Sequence, residues 1–186
     1  MHPFILFEGI DHTGKTTIST RLAERFGGFY LHTPPEELKA ARPFFDSLDF
    51  QSNLAYYLTG NHLVAYAVQQ NREDGPVFLD RYFYSTVAFH SARMGVNLDN
   101  LLERMAVVPD RIFFLTADVD ESLRRMGITG DSRAGFHERE LLAKMSANYD
   151  RLFSGNPSVL EIDTTERSLE DVYSQVLEDV TAFLKR

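Results

Sequence analysis

The chain has 186 residues, of which 44% are apolar and 25% are charged, and it includes 15 Phe and 8 Tyr. This length and composition suit one folded domain with a sizeable core and argue against a disordered chain. The 27 acidic and 19 basic residues give a formal net charge of −8, which argues against a surface that follows a nucleic-acid polymer. Any positive charge that binds an anionic ligand must therefore be local.

The absence of cysteine excludes a disulfide framework, a thiolate zinc site and a cysteine nucleophile. No apolar run approaches the roughly 20 residues that a membrane-spanning helix needs. Residues 1–8 lack the basic start and long apolar core of a signal peptide. We therefore expect a cytoplasmic protein that does not enter a membrane.

The first part of the chain alternates short apolar runs with amphipathic stretches. Residues 4–7 predict a central strand that leads into Gly9, and a helix is predicted at 15–26, ending at two glycines. Residues 29–31 predict a short strand. After an extended Thr-Pro-Pro turn, residues 51–70 predict a long helix, with the polar Asn61 and His62 on or beside its apolar face.

The second part continues the alternation. Residues 77–79 predict a buried strand, 85–91 and 98–105 predict helices, and 112–115 predict another strand. A helix at 119–126 is followed by a polar, glycine-rich stretch that predicts a mobile lid at about 127–136. A helix at 136–153, a strand at 159–162 and a helix from 168 complete the chain. The fold class is thus α/β: residues 1–186 form one domain, with five parallel strands and helices on both faces.

One motif lies between the first strand and the first helix, and it matches the phosphate-binding pattern G-x-x-x-x-G-K-[ST] in the context that the motif requires. Glycines let successive backbone N–H groups point at one phosphate, and the helix N-terminus adds partial positive charge. Lys15 is expected to bridge the β- and γ-phosphates of a bound nucleotide, and the Thr16 hydroxyl to hold Mg²⁺. The alternative is a glycine turn before a helix, with an incidental lysine. The predicted nucleotide-binding residues of this loop are Gly9, His12, Thr13, Gly14, Lys15, Thr16 and Thr17.

Asp80, Arg81 and Tyr82 follow the third predicted strand and form a second group. Because ligands bind at the carboxyl edge of such sheets, Asp80 is expected to support the metal and Arg81 to clamp a phosphate. The alternative is that Asp80 caps a helix and Arg81 is a surface side chain.

These residues resemble the thymidylate kinase family, and the likeness extends over nearly the whole chain. The matching segments are Phe7 to Asp11, Thr16-Thr17, Asp80 to Tyr82 with Ser85, Ala88 and Phe89, Pro109-Asp110, and Gly135 to Arg139. The resemblance implies a P-loop kinase three-layer sandwich that moves the γ-phosphoryl group of ATP onto a deoxynucleoside monophosphate. It also implies a homodimer formed through the long helices.

The resemblance also implies roles for single residues. Asp11 is expected near the acceptor, Arg81 on the acceptor phosphate, and Phe89 against the acceptor's base or sugar. Glu8 falls where the related deoxynucleoside kinases keep a carboxylate base, and it is therefore expected to contact the substrate. A phosphate acceptor is already nucleophilic at neutral pH, so positioning and charge neutralisation are expected to dominate.

The chain departs from the family pattern at the phosphate contacts. His12 replaces an arginine that is catalytic in eukaryotic-type members, and a histidine is only partly charged near neutral pH. Another cation is then needed, and Arg133 in the lid is our first candidate, with Arg124, Arg125 and Arg139 as the others. Arg125 is also expected to bind the ATP cofactor. Arg124 and Arg125 equally suit an exposed helix face.

Two further departures affect the acceptor. An arginine segment of the family corresponds to residues 32–36, which contain no arginine, and Arg42 is a candidate substitute. On the long helix, Leu58 and His62 replace an aromatic residue and an arginine that contact thymine; they share a face because they are four residues apart. His62 and His90 each suit either a substrate contact or a structural role. The acceptor is therefore expected to be a thymidylate-like or modified pyrimidine nucleotide.

Two other functions stay open at this point. A deoxynucleoside kinase would phosphorylate a hydroxyl and need Glu8 as its base. A nucleotide-binding regulator with little turnover would explain the altered loop and the missing arginines.

Overall fold

The structure, a computed structural model, describes residues 1–128 and 133–185, and of residues 133 and 134 the backbone alone. Within these residues, five strands form one parallel sheet in the order β2-β3-β1-β4-β5. The strands are β1 (Phe4–Glu8), β2 (Phe29–His32), β3 (Val77–Asp80), β4 (Arg111–Thr116) and β5 (Val159–Asp163). The predicted α/β class and the five predicted strands are confirmed.

The helices connect these strands in chain order. They are α1 (Lys15–Phe26), α2 (Glu36–Lys39), α3 (Arg42–Asp46), α4 (Phe50–Asn71), α5 (Phe83–Met94), α6 (Val119–Arg125), α7 (Arg133–Phe153) and α8 (Leu169–Leu184). A short 3-10 helix at Asp99–Arg104 replaces the helix that was predicted at 98–105. The two short helices α2 and α3 were not predicted.

The predicted lid lies only partly within the described residues. Residues 129–132 fall outside them, and so does the side chain of Arg133. Because α7 begins at Arg133, the last four positions of the predicted lid are helical, and the prediction that this helix starts at 136 was too late.

The sheet separates two apolar layers, because successive side chains of a strand point to opposite faces. In β1, Phe4 and Leu6 pack with α4, α5, α6 and α7. Ile5 and Phe7 pack on the other face with α1 and α8. All four side chains are fully buried, as a central parallel strand with helices on both faces requires. None of the helices in the described ranges is long and apolar enough to cross a membrane.

The edge of the sheet that carries the site is set by β1 and β3. The two strands pair in parallel with Phe7 opposite Asp80, and the backbone N–H of Arg81 donates to the carbonyl oxygen of Phe7 at 3.0 Å. The loop after β1 and the residues after β3 therefore emerge side by side. The chain from β1 continues to one half of the sheet and the chain from β3 to the other, which creates a crevice between the two strand ends.

Candidate active site

The loop after β1 takes backbone conformations that require glycine. Gly9 has φ 139°, and a Cβ atom there would lie 2.1 Å from the carbonyl oxygen of Leu115. Gly14, with φ 93°, caps α1. His12 adopts φ 58° between them, in a left-handed region that side chains rarely occupy. This curled backbone at the N-terminus of α1 is the form that a phosphate-binding loop needs.

Helix α6 holds this loop from outside. The Ser122 hydroxyl donates to the carbonyl oxygen of Asp11 at 2.7 Å, and Arg125 Nη1 donates to that of His12 at 3.2 Å. Arg125 also donates to the carbonyl oxygen of Thr164 at 2.6 Å and pairs with Glu121. Arg125 was predicted to bind the cofactor; in the structure it supports the strained loop backbone and lines a small cavity beside it.

Lys15 lies over the loop. Its ammonium group donates to the carbonyl oxygen of Ile10 and, at 3.1 Å, to the Thr13 hydroxyl. The residue is 4% exposed, and burial, followed by the nearby charge of Arg81, lowers the pKa of Lys15 to about 7. Lys15 therefore sits at the loop in a poorly solvated position, where an anionic ligand strongly favours its charged form.

Thr16 and Asp80 meet at the start of α1. The Thr16 hydroxyl donates to Asp80 Oδ2. Asp80 Oδ1 is buried and has no hydrogen-bond partner in the described part of the chain. One hydroxyl, one carboxylate with a spare oxygen, and phosphate oxygens from a ligand form a donor set that suits Mg²⁺, so these residues fit the predicted metal.

Arg81 occupies the gap between the two strand ends. It adopts φ 69°, and its Nη1 donates to the carbonyl oxygen of Gly9 at 3.1 Å and to the Ser85 hydroxyl at 3.2 Å. Its Nη2 forms an ion pair with Asp11. The guanidinium thus faces the loop across a narrow gap, rather than pointing away to bulk solvent.

Asp11 remains ionised beside Arg81. Burial acts to raise the pKa of the Asp11 carboxyl, but the charges of Arg81 and Lys15 outweigh it, and the pKa is lowered. The side chain is 48% exposed and lines the large cavity described below. Asp11 can therefore accept hydrogen bonds from a ligand, and it cannot serve as a proton donor at neutral pH.

The expectation that Glu8 contacts substrate was wrong. Glu8 is fully buried, and its carboxylate accepts hydrogen bonds from the backbone N–H of Tyr82 at 2.8 Å, the Tyr149 hydroxyl at 2.9 Å and the Ser85 hydroxyl. Burial raises the pKa of Glu8. The structure gives Glu8 a structural role: its carboxylate anchors the start of α5, including the Ser85 side chain that Arg81 contacts.

A cavity of about 580 Å³ opens beside Arg81 at the ends of β2 and β3. Its wall includes three residues of the predicted site, Arg42, Phe89 and His90, together with the strand-end groups. The remaining lining residues that sequence reasoning did not identify include Tyr30, His32, Thr33, Lys39, Tyr57 and Thr86. Three cations, Lys39, Arg42 and Arg81, therefore border one cavity.

Leu58 and His62, which were predicted to contact the acceptor, do not line this cavity. His62 is exposed, with its ring edge-on to Phe83 at 5.4 Å, and Leu58 packs against the core. Neither residue is among those that line the cavity; the residue of α4 that does so is Tyr57. A helix turns about 100° per residue, so an assignment shifted by one position selects a different face. The aromatic character of Tyr57 was the available signal.

A second cavity, of about 230 Å³, lies on the other side of the phosphate-binding loop. It is lined by residues of the loop, of α6 and of the start of α8, including His12, Thr13, Gly14, Arg124, Arg125, Arg167 and Leu169. The loop thus separates two cavities, and Arg81 and Asp80 belong to the larger one. With one ligand in each cavity, the phosphates of both ligands can meet beside the phosphate-binding loop.

The arginines proposed to replace the missing loop arginine are distributed as follows. Arg124 is exposed and pairs with Glu121, and Arg139 pairs with Asp120 on α6. Arg133 lies outside the described side chains. His12 is exposed at the tip of the loop, and Thr17 is exposed on the first turn of α1.

The strand order, the glycine-dependent loop with Lys15, and the Arg81 group at the neighbouring strand end define a P-loop nucleotide kinase. A family model described as thymidylate kinase matches residues 7–176. The chain belongs to the thymidylate kinase family, and it is an ATP-dependent nucleoside monophosphate kinase.

Curated relatives agree with this assignment. The chain is 30% identical over 188 residues to a probable thymidylate kinase of Methanococcus aeolicus, with 95% of each chain covered. It is 31% identical over 193 residues to a probable thymidylate kinase of Pyrococcus horikoshii, covering 94% of this chain and 93% of the relative.

Solved structures share the fold. A thymidylate kinase of Candida albicans superposes with a TM-score of 0.78 at 20% identity, covering 97% of this chain and 92% of that one. A thymidylate kinase of Ehrlichia chaffeensis gives a TM-score of 0.74 at 21% identity, with coverage of 96% and 98%.

Proposed function

We propose that the acceptor is a pyrimidine deoxynucleoside monophosphate, thymidylate or a modified relative of it, and that it binds in the 580 Å³ cavity. The single observation that carries the proposal is the position of Arg81, which joins the wall of this cavity to the phosphate-binding loop. A phosphate bound by Arg81 lies next to the phosphates held by the loop. That proximity supplies much of the acceleration in such reactions.

In the proposed reaction, a phosphate oxygen of the acceptor forms a bond to the γ-phosphorus of ATP, and the bond from that phosphorus to the bridging oxygen breaks to release ADP. Lys15 and the loop N–H groups hold the donor phosphates. Arg81 holds and orients the acceptor phosphate, with Asp11 fixing the guanidinium. No general base is needed, because the attacking phosphate oxygen is already anionic.

Mg²⁺ is proposed as the accompanying metal, held by Thr16 and Asp80. Support comes from the buried Asp80 Oδ1, which lacks a partner among the described residues. Bound there, the ion supplies positive charge to the donor phosphates.

Arg133 remains our proposal for the cation that replaces the missing loop arginine. Arg42 and Lys39 are proposed as further contacts to the acceptor phosphate or sugar, because both border the same cavity as Arg81. The acceptor's base is proposed to pack against Phe89 and Tyr57. The donor's base is proposed to occupy the 230 Å³ cavity beside His12.

The protein is proposed to act in the cytoplasm.

A homodimer formed through α4 is also proposed. Leu63 and Tyr66 on this helix are exposed by 46% and 65%, and an exposed apolar face on a long helix favours association. Light scattering after size exclusion tests this proposal: Tyr66→Glu is expected to shift a dimeric mass to a monomeric one, and a monomeric wild type would overturn it.

An assay of ADP release tests the acceptor directly. Thymidine, deoxyuridine and deoxycytidine are compared with their 5′-monophosphates, with Lys15→Ala as the control for background hydrolysis. Turnover of pyrimidine monophosphates is expected. Turnover of nucleosides alone would favour a deoxynucleoside kinase, although the buried position of Glu8 argues against it. Tight ATP binding without any transfer would favour a regulator.

A further inference from the structure

His90 is a buried histidine that the proposed transfer chemistry does not use. Its exposure is zero, and its ring lies edge-on to Tyr57 at 5.3 Å and to Phe89 at 5.0 Å between centroids. Both aromatic side chains line the large cavity. The imidazole is therefore part of the cavity wall and packs against the two aromatic side chains on which the acceptor's base is proposed to lie. Its position helps to set theirs.

Both ring nitrogens of His90 contact hydrogen-bond acceptors. Nδ1 lies 2.8 Å from the carbonyl oxygen of Thr86, and Nε2 lies 3.0 Å from Asn53 Oδ1. Burial lowers the pKa of His90 to about 4, so at neutral pH the ring carries one proton, for which the two acceptors compete. The ring is thus held at two points, one on α5 and one on α4.

Asn53 connects His90 to helix α3. Its Nδ2 donates to Asp46 Oδ1 at 2.9 Å and to the carbonyl oxygen of Phe45 at 3.3 Å. Because both of these partners are acceptors, the amide turns its oxygen toward His90. The buried Asn53 side chain therefore transmits the position of Asp46 to the imidazole.

Asp46 also holds two residues of the cavity wall. Its Oδ2 accepts from Arg42 Nε at 3.3 Å, and its Oδ1 accepts from the Tyr57 hydroxyl at 3.3 Å. Asp46 and Asn53 themselves are not among the residues that line the cavity in the described part of the structure. They act on a bound ligand through Arg42, Tyr57 and His90.

We propose that Asp46 and His90 are positioning residues for the acceptor nucleotide. Asn53 joins them into one hydrogen-bond network, which fixes a cationic side chain, Arg42, and two aromatic side chains, Tyr57 and Phe89, around the cavity. The network spans α3, α4 and α5, and it sets the affinity for the acceptor without touching the donor. This inference rests on the proposed binding of the acceptor in that cavity.

The test compares steady-state kinetics of Asp46→Asn, His90→Gln and the double variant, with Asp150→Asn and His2→Gln as matched controls on exposed positions. Each single variant is expected to raise the KM for the acceptor about tenfold, the effect of losing one hydrogen bond to a charged or buried partner. The kcat and the KM for ATP are expected to stay within about twofold of wild type. The double variant is expected to resemble one single variant, because both changes break the same hydrogen-bond network.

Three results would overturn the inference. They are an unchanged KM for the acceptor, a fall in kcat accompanied by a rise in the KM values for both substrates, or single-variant effects that multiply in the double variant. If His90→Gln does not fold, Asp46→Asn decides alone. Asp46→Glu is then expected to restore part of the acceptor affinity, and an absence of rescue would count against the hydrogen-bond network. A wild-type protein that transfers to no monophosphate would refute the proposed function instead, so the two failures are distinguishable.

Discussion

The guanidinium of Arg81 donates to the carbonyl oxygen of Gly9 at 3.1 Å, which ties the first residue after β3 to the first residue of the phosphate-binding loop. Arg81 also pairs with Asp11 in the same loop. The side chain assigned to the acceptor phosphate is therefore built into the donor site. The proposed acceptor site and the donor site are therefore joined by direct contacts within the protein.

Lys15→Ala is expected to lower the rate of phosphoryl transfer by about 10²-fold or more, since the ammonium group is a charged donor placed for the transferring phosphate. The protein is expected to remain folded, because the change removes a poorly solvated charge. ADP release together with a thermal unfolding curve checks both points. Activity equal to that of wild type would remove the loop lysine from the mechanism.

The lowered pKa of Lys15 also predicts a dependence of stability on pH. The folded pKa is about 7 against 10.5 for the unfolded chain, so between these values the unfolded state binds the extra proton. The free energy of unfolding of wild type, relative to Lys15→Met, is expected to rise with pH between 7 and 10, by at most about 1.4 kcal/mol per pH unit. Urea denaturation at four pH values measures it, and a constant difference across this range would contradict it.

Asp80→Asn is expected to weaken Mg²⁺ binding at the proposed metal site, because it removes the negative charge of Asp80 while keeping the side-chain volume. The Mg²⁺ concentration for half-maximal rate should increase about tenfold or more. Titration of the metal at saturating ATP gives this value, with Asp74→Asn as an exposed control. Identical Mg²⁺ curves for the two variants would show that Asp80 has no part in metal binding.

Gly9→Ala is expected to destabilise the protein strongly, because the new Cβ would lie 2.1 Å from the Leu115 carbonyl oxygen. Gly27→Ala is the matched control: it also has positive φ, but no atom lies within 4 Å of the added Cβ. The control should cost about 1–2 kcal/mol, the penalty for a left-handed backbone alone. Chemical denaturation ranks the two, and equal losses would show that the loop can move away from β4.

The corrected face of α4 gives a prediction of its own. Tyr57→Ala should raise the KM for the acceptor about tenfold, because it removes an aromatic wall of the cavity. His62→Ala should leave that KM unchanged, since His62 lies on the exposed side of the helix. The opposite ranking in acceptor titrations would restore the original assignment of the face.

The sequence was sufficient for the sheet and the phosphate-binding loop, because short apolar runs and a glycine-lysine spacing are local signals. Helices α2 and α3 were missed since tertiary contacts stabilise them: the Tyr56 hydroxyl, for instance, donates to the carbonyl oxygen of Leu38 at 3.0 Å. Lys39 was missed with them. A four-residue helix leaves too little periodicity to detect.

Glu8 and His62 show why the assignment of site residues was less secure than the assignment of the loop. Glu8 ends the central strand β1, which lies between the largely buried strands β3 and β4. A carboxylate at the end of such a strand favours a structural role. His62 and Tyr57 differ by more than one turn, so only the packing of α4 on α5 decides which of them reaches the cavity. Such packing depends on contacts between elements far apart in the chain.

Steady-state kinetics of Arg81→Lys test the central claim most directly, because lysine keeps the positive charge and loses the planar fork that contacts Gly9 and Ser85. We expect the KM for the acceptor monophosphate to rise about tenfold to a hundredfold, with a fall in kcat, while the KM for ATP changes by less than about threefold. Unchanged kinetics for the acceptor, or a loss confined to ATP, would contradict the account.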